Sequence, residues 1–251
     1  MLRRALFDRS RPRREQEDAF RWRGEGVSRL ENLSDIVFAF AISFLVAGSG
    51  VPKTFDELAA VMVDFVAVGV CFALLLFVWY THYLFFRRYG LEDGRTVVLN
   101  GVLLFLILLY VYPLRFLTGF QSDLFFGRLS GPEIASVITF EQAPWLSLIY
   151  SGGYAAVFAL FTLLYRHALT EADRLDLSET ERVMTRQRVA FGWVHVGVAL
   201  AAIVLAFALP VVLSPLAGLV YFLLWPLLAI VGRRYKRQLE GLTRASEASY
   251  R

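Results

Sequence analysis

Along the chain, uncharged apolar runs of about 20 residues, the length that crosses roughly 30 Å of hydrocarbon at 1.5 Å per residue, alternate with short charged segments. Six such runs lie near residues 30–48, 58–86, 96–118, 146–165, 189–209 and 211–232. They predict an all-α membrane protein with six transmembrane helices. Composition strengthens the reading: 57% apolar and 15% aromatic residues in 251 exceed what a soluble domain usually carries. Pro210 and Pro215, with Pro226, mark a tight turn between the last two spans and a kink in the last.

Charge orients the spans, because Lys and Arg in short loops favour the cytoplasmic side. Of the Lys and Arg residues, all but Lys53, Arg115 and Arg128 fall in the segments that the alternation of spans places together with the two termini. Both termini are therefore expected in the cytoplasm. The basic start "MLRRALFDRSRPRREQEDAFRWRG" has neither the apolar core nor the small-residue cleavage site of a secretory signal. It reads as a cytoplasmic arm over residues 1–28, ahead of a transmembrane domain at 29–233 and a cytoplasmic tail at 234–251. Beside a membrane span, such a basic arm is expected to meet anionic lipid headgroups rather than nucleic acid.

Candidate chemistry is sparse. Cys71 is the single cysteine, and no Cys/His metal pattern, phosphate-binding glycine loop or serine elbow is present. No cofactor or metal is expected, and an enzyme has little support. Ser151, Gly152 and Gly153 read as small helix-packing residues, and His195, beside Trp193, as a satisfied packing histidine. Arg115 reads as an interfacial residue that snorkels.

The informative polar groups are those inside the spans, where an ionisable side chain is costly and usually faces a partner or water. Asp35 lies six residues past Arg29, His82 five before Arg87 and Asn100 five past Arg95, so all three stand about 7 to 9 Å inward. Three polar groups on three helices share one level, which predicts a cluster to which Trp79 could add its indole donor. The alternative is that each is satisfied separately by water or headgroups. At 100° per residue, Phe40 lies about 140° around the helix from Asp35. Leu33, Val37, Phe40, Phe44 and Ala47 form an apolar seam along that other face. Such a seam serves helix packing or lines a narrow dewetted path between subunits.

The stretch "RLENLSDIVFAFAISFLV" resembles the signature opening the first helix of the transmembrane protein 175 family, the lysosomal potassium channel and its bacterial homologues. "FVWYTHYLFFRR" and "VVLNGVLLFLILLYVYPLRFLT" are similar to that family's second and third helices. The resemblance covers roughly residues 29–118. It implies a potassium-permeable cation channel without the TVGYG filter, a motif also absent from this sequence. By this analogy Arg29, Ser34 and Asp35 with Trp79, His82 and Asn100 form a network that anchors the first helix. Phe40, Phe44 and Ala47, with Ser43 beside them, fall at the pore constriction. Leu33 replaces the phenylalanine of the signature, Phe40 and Phe44 stand where isoleucine or leucine is expected, and Ala47 stands where leucine is expected.

Only one copy of the signature is present, and one helix cannot enclose a pore. The resemblance therefore implies a cyclic homo-oligomer, a homotetramer by analogy with the bacterial members, with the first helix lining a central pore. The implied location is a bacterial inner membrane, and the implied partners are further copies of the chain and the permeant potassium ion. The aromatic layers at the constriction leave a second reading open, a non-conducting membrane scaffold that retains the channel fold.

Overall fold

The structure is a computed structural model and describes residues 20–24, 26–47, 52–125 and 137–249. Inside the helices the side chains of Ala47 and Asp64, among others, lie outside the described residues. Among the described residues the chain forms six α-helices: α1 (Arg29–Ala47), α2 (Phe55–Tyr89), α3 (Gly94–Phe125), α4 (Ala143–Thr170), α5 (Glu179–Ala208) and α6 (Leu224–Ser249). A short 3-10 turn, Phe140–Gln142, leads into α4.

Local chemistry sets most of these boundaries. Ser28 and Glu31 close a reciprocal capping box at the start of α1, Ser28 N–H to Glu31 Oε2 at 2.9 Å and Glu31 N–H to Ser28 Oγ at 3.1 Å. Ser178 and Glu181 repeat it at α5. Thr54 caps α2 by accepting from Glu57 N–H. α2 ends on Gly90, which adopts the left-handed conformation (φ 55°). A Cβ there would also press on the backbone of Arg23 and Gly24, so glycine is demanded twice.

Asp93 caps α3, accepting from the backbone N–H of Arg95 and Thr96 at 3.0 and 3.1 Å. The ring of His167, near the end of α4, meets both of its carboxylate oxygens at 2.9 Å. Burial alone would raise the Asp93 pKa, yet the bonds from His167 and Thr96 prevail and hold it at about 2, below the ordinary 3.8. A depressed folded pKa adds stability that is fully present above about pH 4 and is lost as pH falls towards about 2. Asp93→Asn is accordingly expected to remove that acid-dependent part of stability, seen as a smaller difference from wild type at pH 3 than at pH 6 in unfolding titrations.

Among the described residues five stretches are long and apolar enough to cross a membrane: Val68–Tyr89, Gly94–Leu117, Phe140–Thr170, Glu179–Ala208 and Val211–Leu242. The expected span at 30–48 corresponds to α1, which is not one of the five. It has 19 residues and carries Arg29, Glu31 and Asp35 in its first two turns. The expected turn after the fifth span falls at Leu209 and Pro210, as the prolines suggest. The last span is not one kinked α-helix. Residues Val211–Leu223 form a 3-10 stretch containing Pro215, and the α-helix begins only at Leu224. Proline has no N–H to donate and its ring crowds the preceding turn, so a regular helix does not run through it at no cost. Residues 234–249, expected as a tail, continue α6 as helix.

The helices pack in two groups. α1 lies against α2 and α3, and α3 joins that group to α4. α4 and α5 share the most extensive contact, and the 3-10 stretch and α6 pack on α5. Small residues make the close approaches possible. Tyr110 of α3 covers Gly153 of α4, and Thr162 of α4 fills the space over Gly192 of α5.

The segment before α1 is part of this assembly. Phe20 is buried against Tyr89. Arg23 binds Glu181 of α5 through two bonds of 2.8 Å, and its guanidinium also donates to the carbonyls of Leu175 and Asp176. The N–H groups of Arg23 and Gly24 donate to the carbonyl of Arg87, whose guanidinium returns a bond to the Gly24 carbonyl. Residues 20–24 thus strap together the end of α2 and the start of α5, ahead of α1 in the chain.

Candidate functional site

The two faces of α1 differ sharply. Ser34, Phe38, Ala41 and Leu45, spaced by four, three and four residues, are buried against α2 and α3. Phe38 is 2% exposed and Phe40, two residues on, 55%. Leu33, Ile36, Ser43 and Phe44 share the exposed arc. Leu33, Phe40 and Phe44 of the seam therefore lie off the face that packs within the chain, whereas Val37 is half-buried and packs against the core. Phe40 and Phe44 rest edge-to-face on each other, their ring centroids 4.5 Å apart. The Ser43 hydroxyl donates to the Ala39 carbonyl at 2.8 Å, which leaves its oxygen available as an acceptor. Ala47 ends the helix, and its side chain lies outside the described residues.

The polar groups fall into two sets rather than one cluster. Asn100 lies between His82 and Ser34: its Oδ1 meets His82 Nε2 at 2.8 Å and its Nδ2 donates to Ser34 Oγ at 3.0 Å. Ser34 passes its own proton to the Leu30 carbonyl at 2.8 Å. All three side chains are buried. Phe38 sits edge-on to the His82 ring at 5.7 Å. Asp35 stays apart from that chain. It is exposed and accepts from the Trp79 indole N–H at 2.8 Å. Residues 34 and 35 differ by 100° in azimuth, so the two neighbours turn to different partners at one height. Arg29 is exposed at the start of α1 and belongs to neither set.

Other sequence expectations find definite places. Arg115 reaches the end of α1, its Nη1 3.5 Å from the Phe44 carbonyl, where a cation suits the exposed carbonyls of a helix C-terminus. His195 is bonded to the Tyr154 hydroxyl at 2.5 Å and stacks on Phe158 at 4.0 Å, a packed histidine as expected. Trp193 points outward. Ser151 and Gly153 are buried, whereas Gly152 has open space around it. Among the described residues no group of three His, Cys, Asp or Glu side chains could hold a metal.

Comparison with known proteins decides the family. A family model described as "Endosomal/lysosomal potassium channel TMEM175" matches residues 29–110. A potassium channel of Marivirga tractuosa is 36% identical over 222 residues, 85% of this chain and 90% of that one. The chain belongs to the TMEM175 family. It is thus a multi-pass membrane protein of a family of potassium channels, not of enzymes. A potassium channel of Chamaesiphon minutus is 28% identical over 162 residues, 61% of this chain and 71% of that one. The crystal structure of a variant of the potassium channel MtTMEM175, bound to a nanobody fusion, superposes with a TM-score of 0.79 at 34% identity. It covers 87% of this chain and 97% of its own. The stretch that the TMEM175 family model matches contains α1, α2 and the first half of α3. It therefore contains every residue of the two polar sets and the Phe40 face.

The capping box at Ser28 and Glu31 and the ring of Phe38 are site features not read from the sequence. The spacing Ser-x-x-Glu ahead of an apolar run was the signal for the first; nothing local distinguished Phe38 from the other phenylalanines of α1.

Proposed function

We propose that this protein is a potassium-permeable channel in which ions pass along the axis of a cyclic homotetramer lined by α1. The single observation that carries the reading is the uncovered apolar face of α1 at Leu33, Phe40 and Phe44, set against the buried face at Ser34, Phe38, Ala41 and Leu45. One face is tied to the chain's own helices and the other is free for an axis. The names of the relatives, potassium channels in Marivirga tractuosa and Chamaesiphon minutus, supply the ion.

In this reading Phe40 and Phe44, with Ala47, form an apolar neck, and Ser43 offers an oxygen beside it. Such a neck gates by excluding water. Selectivity then comes from the width of the neck and from hydroxyls rather than from carbonyl rings like those of a TVGYG filter. The Ser34, Asn100 and His82 chain and the Asp35–Trp79 bond hold α1 in rotation so that the phenylalanines meet the axis, with Arg29 at the helix start. The basic termini face the cytoplasm and its anionic lipids.

The test is potassium-driven flux into liposomes holding the purified protein, compared with sodium and with Phe40→Ala. Flux should favour potassium and rise severalfold in the variant, because a methyl in place of a ring widens and wets the neck. Absence of flux from assembled oligomers of both forms would instead favour the non-conducting scaffold, a reading that the edge-to-face pair of Phe40 and Phe44 keeps in contention.

A further inference from the structure

A cleft of about 160 Å³ opens between α2, α4 and α5, bordered by Phe77 and Thr81, Phe161 and Tyr165, and Arg188 and His195. Its position along the bundle follows from one bond. Tyr89, the last residue of α2, meets Thr185 of α5 at 2.7 Å between their hydroxyl oxygens. Arg188 stands three residues beyond Thr185, about 4.5 Å further into the bundle, whereas Thr81 and Phe77 stand roughly 12 and 18 Å from the end of α2. The cleft thus has a cationic end close to the helix termini and an aromatic end at hydrocarbon depth.

Among the described residues neither the Arg188 guanidinium nor the Tyr165 hydroxyl makes a hydrogen bond, and no carboxylate pairs with Arg188. Three other arginines at this end are committed, Arg23 to Glu181, Arg87 to the Gly24 carbonyl and Arg182 to Asp173, and Arg88 lies over the Phe20 ring; Arg166 and Arg186 are exposed and do not border the cleft. His195, by contrast, is already bonded to Tyr154 and stacked on Phe158. A guanidinium within a membrane-crossing helix almost always faces the bundle interior or a water-filled cavity and takes a partner there. It binds phosphate oxygens through paired N–H donors.

We infer that this cleft binds one anionic phospholipid, with its phosphate on Arg188 and Tyr165 and an acyl chain laid along Phe77, Thr81 and Phe161. The inference is separate from lipid contact at the basic termini, and it does not depend on whether the protein conducts. An amphiphile matches the cleft at both ends: charge where the unpartnered guanidinium sits, hydrocarbon where the rings are.

The experiment is native mass spectrometry of the full chain in detergent, offered phosphatidylglycerol or phosphatidylcholine. Wild type should retain one phosphatidylglycerol per chain and phosphatidylcholine far less. Arg188→Gln should weaken retention about tenfold, the loss expected of one charge-assisted contact, and Arg188→Lys should recover part of it. Thr81→Phe keeps the charge but fills the cleft, and should also lose the lipid; Arg234→Gln, on α6, should keep it. Equal retention in Arg188→Gln and wild type would overturn the site, as would equal retention of the two lipids. Inorganic phosphate displacing the lipid would show a free-anion site and overturn the lipid assignment. Oligomers of wild type that fall apart in Thr81→Phe with lipid binding unchanged would show the cleft covered by a second copy, and would overturn it too.

Discussion

Replacing Glu181 with alanine is expected to lower stability by about 3 kcal/mol, the scale set by stranding one partner of a buried ion pair. Glu181 is 2% exposed and accepts four bonds: two from Arg23, one from the Arg21 N–H and one from the Ser178 N–H that closes its capping box. Alanine removes the side-chain half of the capping box, leaving the bond from its own N–H to Ser178 Oγ, and strands a guanidinium that retains only carbonyl partners. The measurement is the unfolding midpoint in detergent together with trypsin cleavage at Arg21 and Arg23. Both should shift together, since the strap is held by the same carboxylate. Arg23→Ala should destabilise comparably, and the double substitution by clearly less than the sum of the two. Additive effects would mean that the pair does not act as a unit.

Asn100→Leu should cost about 2 to 4 kcal/mol. The substitution is near in volume but has no polar atom, so Nε2 of His82 is left buried without a partner, at about 1 to 3 kcal/mol, with strain from a branched side chain in a tight site added. Ser34 loses a donor yet keeps its own bond to the Leu30 carbonyl, so Ser34→Ala should be milder, near 1 kcal/mol. Equal losses for the two variants would place the weight of the contact on Ser34 instead of on His82. Unfolding in mixed micelles reads the difference.

Much of the fold is legible in the hydrophobic pattern. Runs of apolar residues place the helices, and Pro210 places the bend between α5 and the last segment. The 3-10 geometry of Val211–Leu223 is not legible, because an apolar run specifies that a segment is buried in lipid and says little about whether its carbonyls bond three or four residues on. In the candidate site, counting residues from flanking arginines gives height along a helix, and Asp35, His82 and Asn100 do share a level. Height carries no azimuth. Residue 34 instead of 35 faces Asn100, a difference of one position that only the packing of α1 on α3 resolves. The pairing of Arg23 with Glu181 joins residues 158 positions apart, and no local pattern announces it. The two Ser-x-x-Glu boxes are legible in hindsight, but a capping box says nothing of which guanidinium will dock on its glutamate.

That separation orders events during synthesis. Residues 20–24 leave the ribosome ahead of all six helices, yet their docking surface is not complete until α5 has been made, so a segment made before α1 is among the last to be secured. Until then α1 is joined to the bundle through its own buried face and its bonds to α2 and α3 alone. A nascent chain halted before Glu181 would expose the basic stretch around Arg23 to protease, and one extended past it would hide the same stretch: the segment ahead of α1 works as a seal that closes only when most of the protein exists.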